Sequence, residues 1–320
     1  MQHPPHQRES VTPMYLFLGM LLAVLATPYL LVRRREYIEA TTLCTDGGRT
    51  FAHQHGHTAY YDHGTGPVIV LLHGFGGWHA TWHAVQPALV AAGYRVISVD
   101  ALGAGASARP ADVAAYTTES QARAVMALLA SLGIEQYTLI GHSYGGRIAL
   151  QIAVYAPHSV MRVIAFAPEV MSTSRPPIAK LVVIPVIGYA LAFWSTAPAL
   201  VRFGLRGVSK RPDWVDAQQA HYAMSARVVG HLRGQICQSA APKDGSQPVP
   251  QQLASITCPV FAIWGADDPV FPAQHGLAMV ERMPNAHVGI IPNTGHVPHE
   301  EAFTEVMALV HQALAQVPPH

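Results

Sequence analysis

The sequence predicts an α/β fold: a mostly parallel sheet with helices on both faces, preceded by a single transmembrane helix. Three observations predict it. From residue 58 onward, short runs rich in Val, Ile and Leu alternate with helix-periodic stretches, and such alternation builds a parallel sheet covered on both sides. The run at 68–72 (VIVLL) is apolar at consecutive positions, as strands buried on both faces are. Residues 14–32 (MYLFLGMLLAVLATPYLLV) carry no charge and are long enough, at ~1.5 Å per residue, to cross a bilayer.

Taken in order, the chain starts with a short tail at 1–13 holding only Arg8, offset by Glu9, and the apolar run is followed at once by Arg33, Arg34 and Arg35. The excess of basic residues after the run places the downstream side in the cytoplasm. A cleaved signal peptide fits less well, because its basic region precedes the apolar run instead of following it. Pro28 falls near the end of the run, where a kink is tolerated. Residues 33–50 read as a linker. The alternating His53, His55 and His57 have no acidic or cysteine neighbour, so they read as a polar strand edge and not as metal ligands. Strands are predicted at 58–62, 68–72, 95–99, 137–140, 160–166, 260–264 and 288–291. Helices are predicted at 80–92, despite Pro87, at 118–132 with Gly133 beyond its end, and at 144–155. From 168 to 257 the chain is helical and proline-rich without a convincing strand. The expected organisation is therefore an anchor at 14–32, a first part of the core at 51–168, a helical cap at 169–256 and a second part of the core at 257–320.

Composition narrows the function classes. Half of the residues are hydrophobic and only 12% are charged, which excludes a disordered chain. A formal net charge of +1 gives no electrostatic footprint for nucleic acid. Three cysteines without a C-x-x-C pair, Cys44, Cys237 and Cys258, suggest neither a disulfide framework nor a zinc site.

The chemistry lies in three separated motifs. Gly141-His142-Ser143-Tyr144-Gly145 sits between a predicted strand and a predicted helix, the setting in which G-x-S-x-G forms a sharp turn that lifts a serine above the sheet. The neighbouring glycines leave room for that strained turn. A serine hydroxyl needs a histidine to take its proton, and that imidazole needs a carboxylate to hold its tautomer. Trp264-Gly265-Ala266-Asp267-Asp268 and Asn293-Thr294-Gly295-His296 follow later strands, at the sheet edge where Ser143 sits and where ligand crevices form in parallel sheets.

With His73-Gly74-Phe75-Gly76-Gly77 and Asp100-x-x-Gly103-x-Gly105-x-Ser107, these motifs resemble the α/β-hydrolase family, in particular its capped serine esterases and lipases, from about residue 56 to the C-terminus. The resemblance implies an α/β-hydrolase fold with an eight-stranded sheet and a helical cap. It implies Ser143 as nucleophile, His296 as base and Asp268 as acid. Asp267 reads as a solvent-facing turn residue, Glu169 is the rival acid, and His299 reads as a surface histidine. Backbone N–H groups of Phe75 and Tyr144 are expected to form the oxyanion hole, and Phe75, Tyr144, Val270 and Val297 to line the substrate pocket. His73 reads as a hinge holding the oxyanion loop, and His142 as packing away from the reacting centre. A serine nucleophile, where other members of the fold carry aspartate, favours attack on a carbonyl through an acyl-enzyme, with no cofactor or metal.

Residues 181–201 are uncharged, but a single crossing there would put Ser143 and His296 on opposite sides of a membrane. The segment is therefore expected to be a lid, over the site or partly in the bilayer interface. An apolar lid beside an anchor suggests a lipid-like carboxylic ester as the small-molecule substrate. The same triad could serve a carbon–carbon hydrolase, a thioesterase or a cofactor-free perhydrolase, and a binding module that lost turnover is the reading from another class.

Overall fold

The computed structural model describes residues 12–44, 47–170, 181, 184–241, 250–283 and 285–316. Eight strands form one sheet in the order β1-β2-β4-β3-β5-β6-β7-β8: β1 (Gly48–His53), β2 (Gly56–His63), β3 (Val68–Leu72), β4 (Arg95–Val99), β5 (Tyr137–His142), β6 (Val160–Phe166), β7 (Val260–Gly265) and β8 (Ala286–Ile291). β1 and β2 form an antiparallel hairpin and β2 pairs antiparallel with β4, while the other neighbours are parallel.

The central strands are buried on both faces, and period-2 alternation divides their side chains between two cores. Val70, Leu72, Val163, Ala165, Ala262 and Trp264 pack on one side, with α3 (Thr118–Ser131) and α4 (Tyr144–Tyr155). Ile69, Leu71, Ile164, Phe166, Phe261 and Ile263 pack on the other, with α2 (Val85–Ala91) and the C-terminal helix. Thr117 caps α3 by accepting the N–H of Ser120, and Gly133 ends it at φ +68°.

The structure changes two readings. The stretch 80–92 is not one helix but a 3-10 turn, His79–Trp82, followed by α2. Pro87 lacks an N–H and clashes with a preceding helical turn, so the helix restarts at Val85 and carries Pro87 in its first turn. The eighth strand, β1, begins inside the stretch expected as linker. Residues 36–38 of that stretch are pinned as well: Tyr37 and Ile38 N–H both donate to Arg227 O, at 2.9 Å.

The N-terminal helix α1 (Thr12–Arg35) is apolar and long enough to cross a membrane, and 6% of its apolar window is buried. The tail at 1–11 lies outside the described residues. Among the described residues the cap contains helices and no strand: α5 (Pro185–Ser195), α6 (Pro198–Arg206), α7 (Pro212–Ser225), α8 (His231–Ala240) and α9 (Pro250–Leu253). Prolines begin α5, α6 and α7, where a missing N–H costs nothing. The chain then completes the sheet and adds α10 (Gln274–Val280), the single turn α11 (Pro298–Glu301) and α12 (Phe303–Ala315).

Candidate active site

Ser143 occupies the turn between β5 and α4 at φ 50°, ψ −111°, a conformation costly for any side-chain-bearing residue. The surrounding glycines explain why the turn closes. A Cβ on Gly145 would stand 2.1 Å from Leu72 O, and one on Gly141 2.5 Å from Gly145 O. Ser143 N–H donates to Phe166 O at 2.8 Å, which fastens the turn to the end of β6. The N-terminus of α4 lies directly behind it, with its partial positive charge.

The structure brings Ser143, His296 and Asp268 together from three strand ends, and all three are buried. His296 Nε2 lies 3.0 Å from Ser143 Oγ, and Nδ1 lies 2.8 Å from Asp268 Oδ2. A carboxylate only accepts, so Nδ1 carries the hydrogen and Nε2 offers its lone pair to the serine hydroxyl. The other carboxylate oxygen, Oδ1, accepts the N–H groups of Val270 at 2.7 Å and Phe271 at 2.9 Å, so the Asp268 side chain cannot rotate without losing them.

Around this line, Asp267 is exposed. Glu169 does not meet His296; it pairs with Arg147 at 3.2 Å on the cavity wall. His73 donates from Nδ1 to Gly74 O and accepts the Ala101 N–H at Nε2. Burial holds its pKa below the ordinary value, consistent with the neutral ring that this double role requires. The loop that it braces presents Phe75, whose side chain is exposed at the cavity. Neither Phe75 N–H nor Tyr144 N–H spends its hydrogen on a bond among the described residues.

His142 is buried beside His296 and donates from Nε2 to His296 O at 2.8 Å. Burial, then the neighbouring His299 and His296, push its pKa well below the ordinary value. His299 is not the surface residue that the sequence suggested. The single turn α11 folds it inward against Trp82, Phe166 and His142, where burial lowers its pKa to about 3. Glu301 is a residue that the sequence reading passed over. Its carboxylate accepts Gly295 N–H at 3.0 Å and Val297 N–H at 3.1 Å, one amide on either side of His296, and Ser209 Oγ–H at 2.6 Å. His296 N–H itself donates to Val208 O at 2.8 Å. His296 is thus clamped between the core and the cap segment that joins α6 to α7. The G-H-x-x-x-x-E spacing at 295–301 was the available signal.

A cavity of about 630 Å³ opens beside Ser143 Oγ. Phe75, Tyr144, Val270 and Val297 all line it, with Leu200, Val201 and Leu205 of α6 and His231, Gln235 and Gln238 of α8. Its only charged lining side chains among the described residues are the mutually paired Arg147 and Glu169. Among the described residues no three His, Cys, Asp or Glu side chains converge so as to hold a metal ion.

Comparison with known proteins agrees with this architecture. A family profile described as alpha/beta hydrolase fold matches residues 67–186. The 2-hydroxy-6-oxo-6-phenylhexa-2,4-dienoate hydrolase of Burkholderia cepacia is 30% identical over 257 residues, covering 77% of this chain and 87% of that protein. A 2-hydroxy-6-oxononadienedioate/2-hydroxy-6-oxononatrienedioate hydrolase of Comamonas testosteroni is 29% identical over 262 residues, with the same coverage of each, 77% and 87%. Among solved structures, a 2-hydroxy-6-oxo-6-phenylhexa-2,4-dienoate hydrolase of a Rhodococcus species superposes with a TM-score of 0.71 at 21% identity, over 84% of this chain and 98% of that one; at that identity it speaks for the fold. With relatives that are hydrolases along most of its length, and a sheet and turn of this form, the chain belongs to the α/β hydrolase fold family.

Proposed function

We propose that this protein is a serine hydrolase in which Ser143, His296 and Asp268 act as a triad on a small acyl compound. The observation that carries the reading is the pair of short contacts through one imidazole, 3.0 Å to Ser143 Oγ and 2.8 Å to Asp268 Oδ2. Ser143 Oγ attacks the substrate carbonyl as its proton passes to His296 Nε2, and the oxyanion is received by the N–H groups of Phe75 and Tyr144. Collapse expels the leaving group, which takes the proton from His296. Water, deprotonated by the same nitrogen, then hydrolyses the acyl-enzyme. Asp268 stays ionised and stabilises the imidazolium.

Two bonds compete for this machinery. The dienoate hydrolases among the relatives support a carbon–carbon bond beside a ketone, whose leaving carbanion a conjugated diene delocalises. This bond was the alternative in the sequence reading, and the relatives favour it over the ester. A carboxylic ester has a separate support: the one cationic side chain among the described lining residues, Arg147, forms an ion pair with Glu169 at 3.2 Å, which leaves the wall without net formal charge, although its Nε and Nη1 make no hydrogen bond among the described residues. A neutral, apolar ester fits such a wall at lower desolvation cost.

The test has two layers. A fluorophosphonate probe labels the wild-type protein and not Ser143→Ala, and the variant loses at least about a thousandfold in turnover; equal labelling of both would end the triad reading. Decay of 2-hydroxy-6-oxo-6-phenylhexa-2,4-dienoate, compared with release from 4-nitrophenyl esters of rising chain length, assigns the bond. We also infer that α1 spans a membrane with the catalytic domain on the cytoplasmic side, supported by its exposed apolar surface and by Arg33, Arg34 and Arg35 in its last turn.

A further inference from the structure

The N-terminal helix is joined to the cap, not to the sheet. Tyr29 stacks on Tyr189 of α5 at 4.5 Å between ring centroids. Trp194 Nε1–H donates to Val24 O at 3.1 Å. The Arg35 guanidinium lies 4.0 Å from the Phe193 ring centroid and donates to Phe193 O and Thr196 Oγ1. Glu36 accepts the N–H groups of Gly230 and Leu232 at the start of α8, both at 2.8 Å. Val24 and Tyr29 belong to the uncharged run, and Val24 lies ~16 Å along the helix axis from Arg35. That is about half the thickness of a hydrocarbon core. If α1 spans, α5 touches it below the level at which the arginines emerge.

The rest of the cap pair has the matching chemistry. α5 is uncharged, and Ile184 and Val186 at its start are exposed. α6 exposes Leu200 and Phe203, the latter 74% exposed, beside Arg206 and beside Arg202, which pairs with Asp216 at 2.6 Å, an apolar face edged by charged side chains as in helices that lie in a lipid interface. α5 and α6 meet at a bend of 83°. Ser143 precedes the pair while Asp268 and His296 follow it, and the three touch, so the pair must enter and leave on one side of any membrane. The junction residues Ser195 and Thr196, with Leu200 and Val201, also wall the catalytic cavity.

We propose that α5 and α6 form a re-entrant segment seated in the bilayer leaflet from which the C-terminal end of α1 emerges, so that the wall of the catalytic cavity is turned to that leaflet and the enzyme draws lipid-dissolved acyl substrates from it. This inference rests on the reading of α1 as a membrane span. The occupant is the lipid leaflet itself: the surface is continuous with α1, and Arg206 with Arg33 and Arg34 at the end of α1 match anionic headgroups.

The experiment uses the full chain in vesicles of phosphatidylcholine and phosphatidylglycerol. An environment-sensitive nitrobenzoxadiazole label is placed at Phe203→Cys, at Leu22→Cys in α1, and at Arg123→Cys on the exposed face of α3, with the labelled wild type as blank for Cys44, Cys237 and Cys258. Spin-labelled lipids are expected to quench the label at 203 by at least about half, and that at 22 as well, while 123 stays unquenched. Quenching at 22 without quenching at 203 overturns the inference and leaves the span intact; quenching at neither overturns both. A second readout is independent of the labels. Phe203→Asp should lower hydrolysis of a long-chain ester presented in vesicles about tenfold, while a water-soluble short-chain ester is turned over unchanged. Equal loss on both would place Phe203 in the fold and overturn the proposal.

Discussion

At the residue scale, Asp268 shows how hydrogen bonds decide a protonation state. Its Oδ1 already accepts two backbone N–H groups. In Asp268→Asn the amide oxygen must keep that place, so the NH2 turns to His296 Nδ1 and forces the ring proton onto Nε2, the wrong nitrogen for a base. Turnover should fall ~10⁴-fold with little change in thermal unfolding, measured on initial rates and circular dichroism; an active variant would mean that the acid is elsewhere. Glu301 acts one step further out, on the backbone of the base. Glu301→Gln retains one good acceptor where the native carboxylate serves two amides and Ser209. The imidazole loses part of its fixed position, and kcat should drop about ten- to a hundredfold with KM nearly constant. Rates normalised by fluorophosphonate titration distinguish this from mere loss of folded protein: if the normalised rate equals wild type, Glu301 only holds the fold.

At the element scale, α7 is locked to α11 by a buried polar cluster. Tyr222 donates to Glu300 Oε1 at 2.9 Å, and Thr81 donates to the same oxygen. Burial pushes the Glu300 carboxyl up to about 7. A raised acid pKa means that the folded chain keeps a proton which the unfolded chain releases, so this contribution to stability is complete below the ordinary glutamate pKa and is lost as pH rises through about 7. Removing that opposing contribution, Glu300→Gln should make Tm rise more steeply between about pH 5 and 7.5 than it does in the wild type; an unchanged profile would show the group ionised in the native state. Element types were largely legible in the sequence because the central strands are apolar on both faces. β1 was not: an edge strand of Gly, Arg, Thr, Phe, Ala and His has one poorly buried face and no strong pattern. His299 was misread for a related reason. The neighbouring Glu300 and Glu301 look like a solvated turn in sequence, and only the packing of Trp82 and Phe166 reveals an interior position. The three residues that the structure brings together in the candidate site, Ser143, His296 and Asp268, were picked out by spacing, whereas the cavity and the grip of α1 on the cap depend on contacts between distant segments.

At the scale of the whole molecule, the protein keeps several imidazoles neutral by enclosure. His299 and His231 are lowered to about 3, and His142 well below its ordinary value, each first of all by burial. Below about pH 6.5 the unfolded chain takes up protons that the folded chain refuses, so stability is lost as pH falls, by on the order of 1 kcal/mol per pH unit for each such group. Urea midpoints at about pH 7.5 and pH 5 should show the fall, steeper than the opposing contribution of Glu300; a midpoint that rises on acidification would contradict it. The attachment of the N-terminal segment has a practical corollary for any shortened version of the protein. Glu36 serves as the remote cap of α8, and Tyr37 and Ile38 pair with Arg227 and Val229. Trimming up to Arg35 therefore removes the greasy helix yet spares this clasp, at the cost of baring Phe193 and Trp194. Trimming to Gly48 unties the cap as well, so the few residues between those two cuts decide whether a shortened chain keeps its cap in order.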